Sequence, residues 1–241
     1  WEIGEDSDEY KPQYMLHWVL ERGTFISYDE VVALQVSYVE SDDKLFHVFG
    51  RGIKLYAGID WGQKHDATVF VVGTSDGKIV YWKEIIGEDY PSQIALIKEI
   101  IKERFLHSLK IIRCDSTGNQ DSTVQMLRYS LAEWGIEVMG VNFSEQSKDF
   151  MYKNLHALMH PIVLNGKIIR QSQIKIPIED SPEKERFIFE FCNLQKEVKN
   201  GKWHCQHPAG NFHDDYCDSM ALYAMGLNPN MGERGHRFMI V

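Results

Sequence analysis

The chain has 241 residues, 44% of them hydrophobic and 25% charged, with a formal net charge of −9. That length supports one well-buried core with a small appendage, and the composition is ordinary for a globular protein. No apolar run approaches the ~20 residues of a membrane span. The acidic start, Trp1 to Glu9, has no signal-peptide pattern, and Cys114, Cys192, Cys205 and Cys217 lie far apart without C-x-x-C spacing. A reducing, intracellular setting is therefore expected.

Residues 1–50 differ from the rest. They hold eleven acidic and three basic side chains, a balance of −8, against 24 and 23 in the remaining 191 residues. Glu5, Asp6, Asp8 and Glu9 form a solvated acidic stretch, followed by Tyr10, Tyr14, His17 and Trp18. Ser27 is placed to cap a short helix through Val32. With few regular strands to pair, residues 1–50 read as a connector, or the trailing edge of a preceding domain, packed on a main body of residues 51–241.

From Leu55 the pattern sharpens. Runs of β-branched and aromatic residues over 55–60, 67–74 and 78–86 predict three strands in a meander, with Ser75-Asp76-Gly77 as the tight turn. Ile94, Ile97, Ile100 and Ile101 recur at helical spacing within 91–105, and Pro91 stands in the first turn. A short buried strand (109–114), a helix (122–134) and another strand (136–141) follow. Ser144 can cap a helix through Leu158, which Pro161 ends. Residues 163–176 read as two short strands turning at Asn165-Gly166, 181–198 as a helix, and 202–207 as a strand after the Asn200-Gly201 turn. A last helix covers 215–225. The order implies a mixed sheet with helices on its faces.

Acidic clusters stand at chosen places along this order. Asp60 ends the first strand, with Asp66 close behind; Asp115 ends the fourth; His213-Asp214-Asp215 and Asp218 open the last helix. A carboxylate at the end of a buried strand loses water at a cost, unless a cation replaces that water. Carboxylates from two strand ends and a helix start, if they meet, suit a hard divalent cation. Each has an ordinary reading too: a turn residue at Asp60, an Asx turn at Asp115-Ser116-Thr117-Gly118, a favourable charge or cap at the helix start for Asp214 and Asp215. Asp215 and Asp218, three apart, share a helix face; Asp214 points elsewhere and is expected to cap. His204-Cys205-x-His207 with His213 matches no common zinc spacing, and Cys192 and Cys217 read as core thiols. Discounting the six named acids, which a cation would offset, residues 51–241 are mildly basic, enough for local phosphate contacts.

The sequence resembles the ribonuclease-H-like superfamily, and within it the nuclease domain of the large terminase subunit of tailed double-stranded DNA bacteriophages. Tyr56-Ala57-Gly58-Ile59-Asp60-Trp61-Gly62 with Asp66, Cys114-Asp115-Ser116-Thr117-Gly118, and His213 to Leu222 carry the likeness, together with Asn142-Phe143-Ser144 and Lys148. It covers roughly Leu55 to Met225. The resemblance implies an endonuclease that cleaves concatemeric viral DNA during packaging, in the cytoplasm of the infected host. Asp60 would bridge two divalent cations, Mg²⁺ or Mn²⁺, with Asp115 completing one site and Asp215 or Asp218 the other. Asp66 would make an outer metal contact, and His213 would orient a carboxylate or shuttle a proton. Lys148, Lys153, Lys167, Arg170 and Lys175 could line a DNA path, or belong to a solvated helix face and hairpin. The implied partners are double-stranded DNA, a packaging ATPase domain of the same polypeptide, the portal and the small terminase subunit. These residues carry no G-x-x-x-x-G-K-[ST] loop, so they resemble an isolated nuclease domain, with residues 1–50 matching the end of the ATPase region. A Holliday-junction resolvase or another nuclease of this fold is the alternative. Gly58 to Gly62 also resembles the first phosphate turn of actin-like ATP-binding proteins, which need a duplicated meander absent here.

Overall fold

The computed structural model describes residues 22–37, 52–62, 66–208 and 213–227. The acidic and aromatic stretch between Glu5 and Trp18 lies outside them. At the centre is a five-stranded sheet of β3 (Leu55–Asp60), β4 (Thr68–Thr74), β5 (Ile79–Ile85), β6 (Leu109–Asp115) and β7 (Glu137–Val141), in spatial order β5-β4-β3-β6-β7. β3, β4 and β5 form the antiparallel meander, and β6 and β7 continue parallel to β3. All seven residues of β4 are buried, as a central strand covered on both faces requires.

Side-chain alternation along the strands builds a core on each face. Leu55, Ala57 and Ile59, with Phe70 and Val72, pack against α2 (Tyr90–Ile100) and α3 (Gln120–Leu131). Val69 and Val71 face α4 (Glu145–Met159), α5 (Pro182–Asn193) and α6 (Asp215–Ala224). Ser144 caps α4, as its position predicts, and Ser181 caps α5. Asp89 caps α2, and the helix continues through a π turn over Ile101–Phe105.

Residues 22–37 join this body. α1 (Tyr28–Val32) is closed by a capping box between Ser27 and Glu30, and Phe25, Ile26, Val31 and Leu34 are core residues. β1 (Arg22–Thr24) pairs with β11 (Gln195–Lys199), which pairs with β12 (Lys202–Gln206). β2 (Gln35–Val36) runs parallel to β10 (Ile176–Pro177). β8 (Ile162–Leu164) and β9 (Lys167–Arg170) make a separate hairpin.

One expected element changes. The helix predicted over 181–198 stops at Asn193; Leu194 is extended and 195–199 form β11. Gln195, Lys196 and Glu197 tolerate a helix, but strand pairing with β1 and β12 overrides that weak preference. Asn200 and Gly201, both at positive φ, make the two-residue turn that sets the register. Among the described residues no helix is long and apolar enough to cross a membrane.

Candidate functional site

Register alone brings the first two acids together. Ile59 of β3 is level with Cys114 of β6, so Asp60 and Asp115 end neighbouring parallel strands, ~4.8 Å apart in backbone spacing. Gly58 is level with Arg113, which puts Asp60 and Asp115 on one face of the sheet, the face that α6 crosses.

The crossing is unusually close. A Cβ on Gly58 would stand 2.0 Å from the Ser219 carbonyl oxygen and 2.7 Å from Tyr223 N; one on Gly73 would strike the Tyr223 ring. Glycine at both points lets the helix backbone lie on the strands. Ser219, fully buried, fastens the contact: its Oγ accepts from Asp60 N at 3.0 Å and donates to the Val69 carbonyl at 2.5 Å. The Tyr223 hydroxyl donates to the Thr74 carbonyl at 2.7 Å. Asp215 and Asp218 are thereby held over the ends of β3 and β6, 5% and 3% exposed.

The cluster strains its own protonation. Desolvation first, then the charges of Asp218, Asp215 and Asp115, push the Asp60 carboxyl well above the usual carboxylate range. Asp215 is pushed up to about 8 by desolvation, then by Asp66 and Asp214. Asp218 is pushed up to about 6 by desolvation, against the opposing pull of Lys148. Asp115 is raised by desolvation, although Oδ1 accepts from Thr117 N at 2.9 Å and Thr117 Oγ1 at 2.5 Å, so the Asx turn forms as well.

The two aspartates of α6 differ in their partners. Asp218 is satisfied from α4, accepting from Lys148 Nζ and the Tyr152 hydroxyl at 2.7 Å each. Burial works against the Lys148 charge, but Asp218 and Asp214 outweigh it and push the ammonium pKa up. Asp215 Oδ2 is buried and has no hydrogen-bond partner among the described residues. His213 Nδ1 stands 3.2 Å from Asp66 Oδ1 and 3.9 Å from Asp215 Oδ2. One ligand atom from each of these three residues lies within 4.8 Å of the others, the one such group among the described residues. An orphaned buried carboxylate oxygen, facing a histidine and a second carboxylate, fits a divalent cation.

The remaining sequence candidates disperse. Lys148 belongs to the acid cluster and lies 4.8 Å from the Phe143 ring centre. Lys153 pairs with Asp149 at 2.7 Å beside Trp203. Lys167 is exposed on β9, and Arg170 donates to the Ala157 carbonyl at 2.8 Å. Lys175 Nζ donates to Ser172 Oγ at 2.9 Å. His204 lies 3.1 Å from Glu145, while His207 Nε2 lies 2.8 Å from the Glu190 carbonyl, so the two make no joint site. All four cysteines are free; Cys217 is buried and Cys192 only partly so. Asp214 stands at the N-cap of α6, but its side chain makes no capping bond, contrary to expectation. That bond comes from Glu190 of α5, whose Oε2 accepts from Tyr216 N at 2.9 Å. Sequence spacing singled out neither Glu190, Ser219 nor Tyr152, because each acts on an element distant along the chain.

An antiparallel three-strand meander extended by parallel strands, with helices on both faces and acids at the strand ends, is a ribonuclease-H-like fold. Solved structures it is similar to include large terminase nuclease domains from several phages. That of gp2 from bacterial virus Sf6 matches with a TM-score of 0.64 at 12% identity, over 84% of this chain and 98% of that one. The large terminase nuclease from thermophilic phage G20c with bound magnesium matches with a TM-score of 0.54 at 21% identity, over 72% and 82%. The large terminase nuclease domain of Thermus phage P74-26 matches with a TM-score of 0.53 at 18% identity, over 82% and 94%. At these identities the likeness is one of fold. No protein-family model matches the chain, and no curated protein matches it.

Proposed function

We propose that this chain is the nuclease domain of a phage large terminase, a metal-dependent endonuclease that cuts concatemeric viral DNA during genome packaging. The observation that carries the reading is the buried Asp215 oxygen, partnerless among the described residues, facing His213 and Asp66, with Asp60 close enough to Asp218, Asp215 and Asp115 to feel their charges. Structures of the same fold support it: the G20c large terminase nuclease is described with bound magnesium and with bound cobalt.

Asp66, His213 and Asp215 offer one ligand set, and Asp60 with Asp115 a neighbouring one. Asp60, whose carboxyl feels the charges of both Asp215 and Asp115, would be the residue shared between two Mg²⁺ or Mn²⁺ ions. Bound ions supply Lewis-acid charge for the attacking and leaving oxygens of a phosphodiester displacement. The chain's own residues do the rest. Ser219 fixes the Asp60 backbone, Thr117 orients Asp115, and Tyr152 and Lys148 hold Asp218. Asp218, with both oxygens engaged, ranks behind Asp215 as a ligand. His213 orients Asp66 through the Nδ1 contact. Lys148 adds positive charge at the site edge, where a phosphate would approach; Lys153, Lys167 and Arg170 are the further DNA contacts of this reading.

In this reading residues 1–50 lead from a packaging ATPase region, with residues 22–37 packed into the nuclease core, and DNA, the portal and the small terminase subunit are the partners. The protein would act in the cytoplasm of the infected bacterium. The test is nicking and linearisation of supercoiled plasmid with Mn²⁺ or Mg²⁺, beside an EDTA control and Asp60→Asn. Metal-dependent cutting that the substitution abolishes is the expected result. Full activity in Asp60→Asn would sink the assignment.

A further inference from the structure

The helix that carries Asp215 and Asp218 is capped from another element. A helix start leaves backbone N–H groups without partners and carries partial positive charge. Asp214, in the capping position, makes no such bond. Glu190 makes it from 26 residues away, with Oε2 on Tyr216 N.

Glu190 is itself anchored. It is 2% exposed, and its carbonyl oxygen receives His207 Nε2 at 2.8 Å. Its Oε1 lies 3.8 Å from Arg186 Nε one turn earlier on α5, and Arg186 Nη2 reaches Glu84 Oε1 of β5 at 3.1 Å. A chain of contacts thus runs from the sheet edge through α5 to the first turn of α6. A buried carboxylate near Asp215 is electrostatically unfavourable. The bond to α6 offsets it, together with the Arg186 charge. Tyr216 N follows Asp215 directly and precedes Asp218 by two residues, so holding that peptide holds the direction of both side chains.

We propose that Glu190 is a positioning residue for the metal centre: by capping α6 from α5, it sets the aim of Asp215 and Asp218 at the bound cation. This rests on the metal-dependent reading above. Because Glu190 acts through α6 and not on DNA, its loss weakens cation binding while leaving substrate affinity alone.

The test compares Glu190→Ala, which removes the acceptor, with Glu190→Gln, which keeps one. Mn²⁺ binding is measured by calorimetry. The Mn²⁺ midpoint and the KM for plasmid nicking are measured in parallel, and circular dichroism checks folding. The expected result for Glu190→Ala is a Mn²⁺ Kd and activation midpoint raised about 10-fold, the scale of lost ligand support, with an unchanged KM for DNA. Glu190→Gln should stay close to the parent. Where Glu190→Ala does not fold, Glu190→Met, of similar volume and without an oxygen, replaces it. Parental Mn²⁺ affinity in the acceptor-less variant would overturn the proposal, as would Glu190→Gln failing as badly as Glu190→Ala. A parent that binds Mn²⁺ but never cuts would overturn the nuclease reading alone, since calorimetry still reads Glu190. A parent that binds no Mn²⁺ would overturn both.

Discussion

The last helix and the β8–β9 hairpin invert the usual assignment of polar and apolar residues. All ten residues of α6 are buried, Asp215 and Asp218 among them. All seven strand residues of the hairpin are exposed, including Ile162, Val163, Leu164, Ile168 and Ile169. Burying one such aliphatic side chain would stabilise by ~1.5–3 kcal/mol, yet two strands alone offer no second layer to bury it against. Burying a carboxylate is unfavourable, yet α6 does so twice, because sheet and helices close around it and its acids can share protons or a cation. Where a residue sits is decided by what surrounds the element, not by the residue's own polarity. Tolerance to change should follow the same division.

The largest effect should come from Gly58→Ala. The added methyl would meet the Ser219 carbonyl oxygen at 2.0 Å, a backbone atom, with no flexible side chain able to yield. Denaturant unfolding should register a loss of more than ~3 kcal/mol or failure to fold, the upper end of overpacking costs. A mild loss would mean that α6 does not rest on β3 as described.

The second effect is a pH dependence. Carboxylates in an unfolded chain titrate near ~4, whereas Asp218 is raised to about 6 and Asp215 and Glu190 to about 8. Across that window the folded state binds more protons than the unfolded one, so metal-free stability should fall as pH rises from ~4 to ~8 and then level. The raised Lys148 pKa acts in the same direction, but its window lies above pH ~10, while His156, lowered to about 4 by burial, opposes the slope only between ~4 and ~6.5 and is outnumbered there by the raised carboxylates. Divalent cations bind the deprotonated carboxylates, so the Tm gain from Mg²⁺ should grow through the same window. Asp215→Asn should reduce the upper part of the slope, leaving the share that Glu190 carries, without lowering the metal-free Tm at pH 8. A Tm that is flat with pH, or a large Tm loss in Asp215→Asn, would give that carboxylate a structural role instead.

The smallest effect belongs to the hairpin. Ile169→Thr, at an exposed strand position, should change unfolding free energy by no more than ~0.5 kcal/mol and leave cutting intact. A loss of several kcal/mol would mean that the hairpin is covered in solution.

Much of the sheet was legible along the chain because its signals are local. β-branched runs, the Asp76-Gly77 and Asn165-Gly166 turns, and the Ser27 and Ser144 caps each act within a few residues. The positions of Asp60 and Asp115 at strand ends followed from the same patterns. The end of α5 was not legible, since Gln195 to Lys199 suits helix or strand and pairing with β1 and β12 decides. Asp214 illustrates the same boundary: its place at the helix start was readable, but whether it or Glu190 makes the cap depends on how α5 packs.

The sequence by itself determined the strands of the central sheet, the helices that flank it and their order, and the placing of acids at two strand ends and one helix start, because period, turns and caps are short-range. Only the tertiary structure decided which acids stand together and what each one touches. Asp218 is held by Lys148 and Tyr152 while an oxygen of Asp215 has no hydrogen-bond partner among the described residues, and Ser219 and Glu190 fix the helix that carries both. Those contacts join residues 26 to 159 positions apart, and at such separations the packing of whole elements, not local preference, sets the distance.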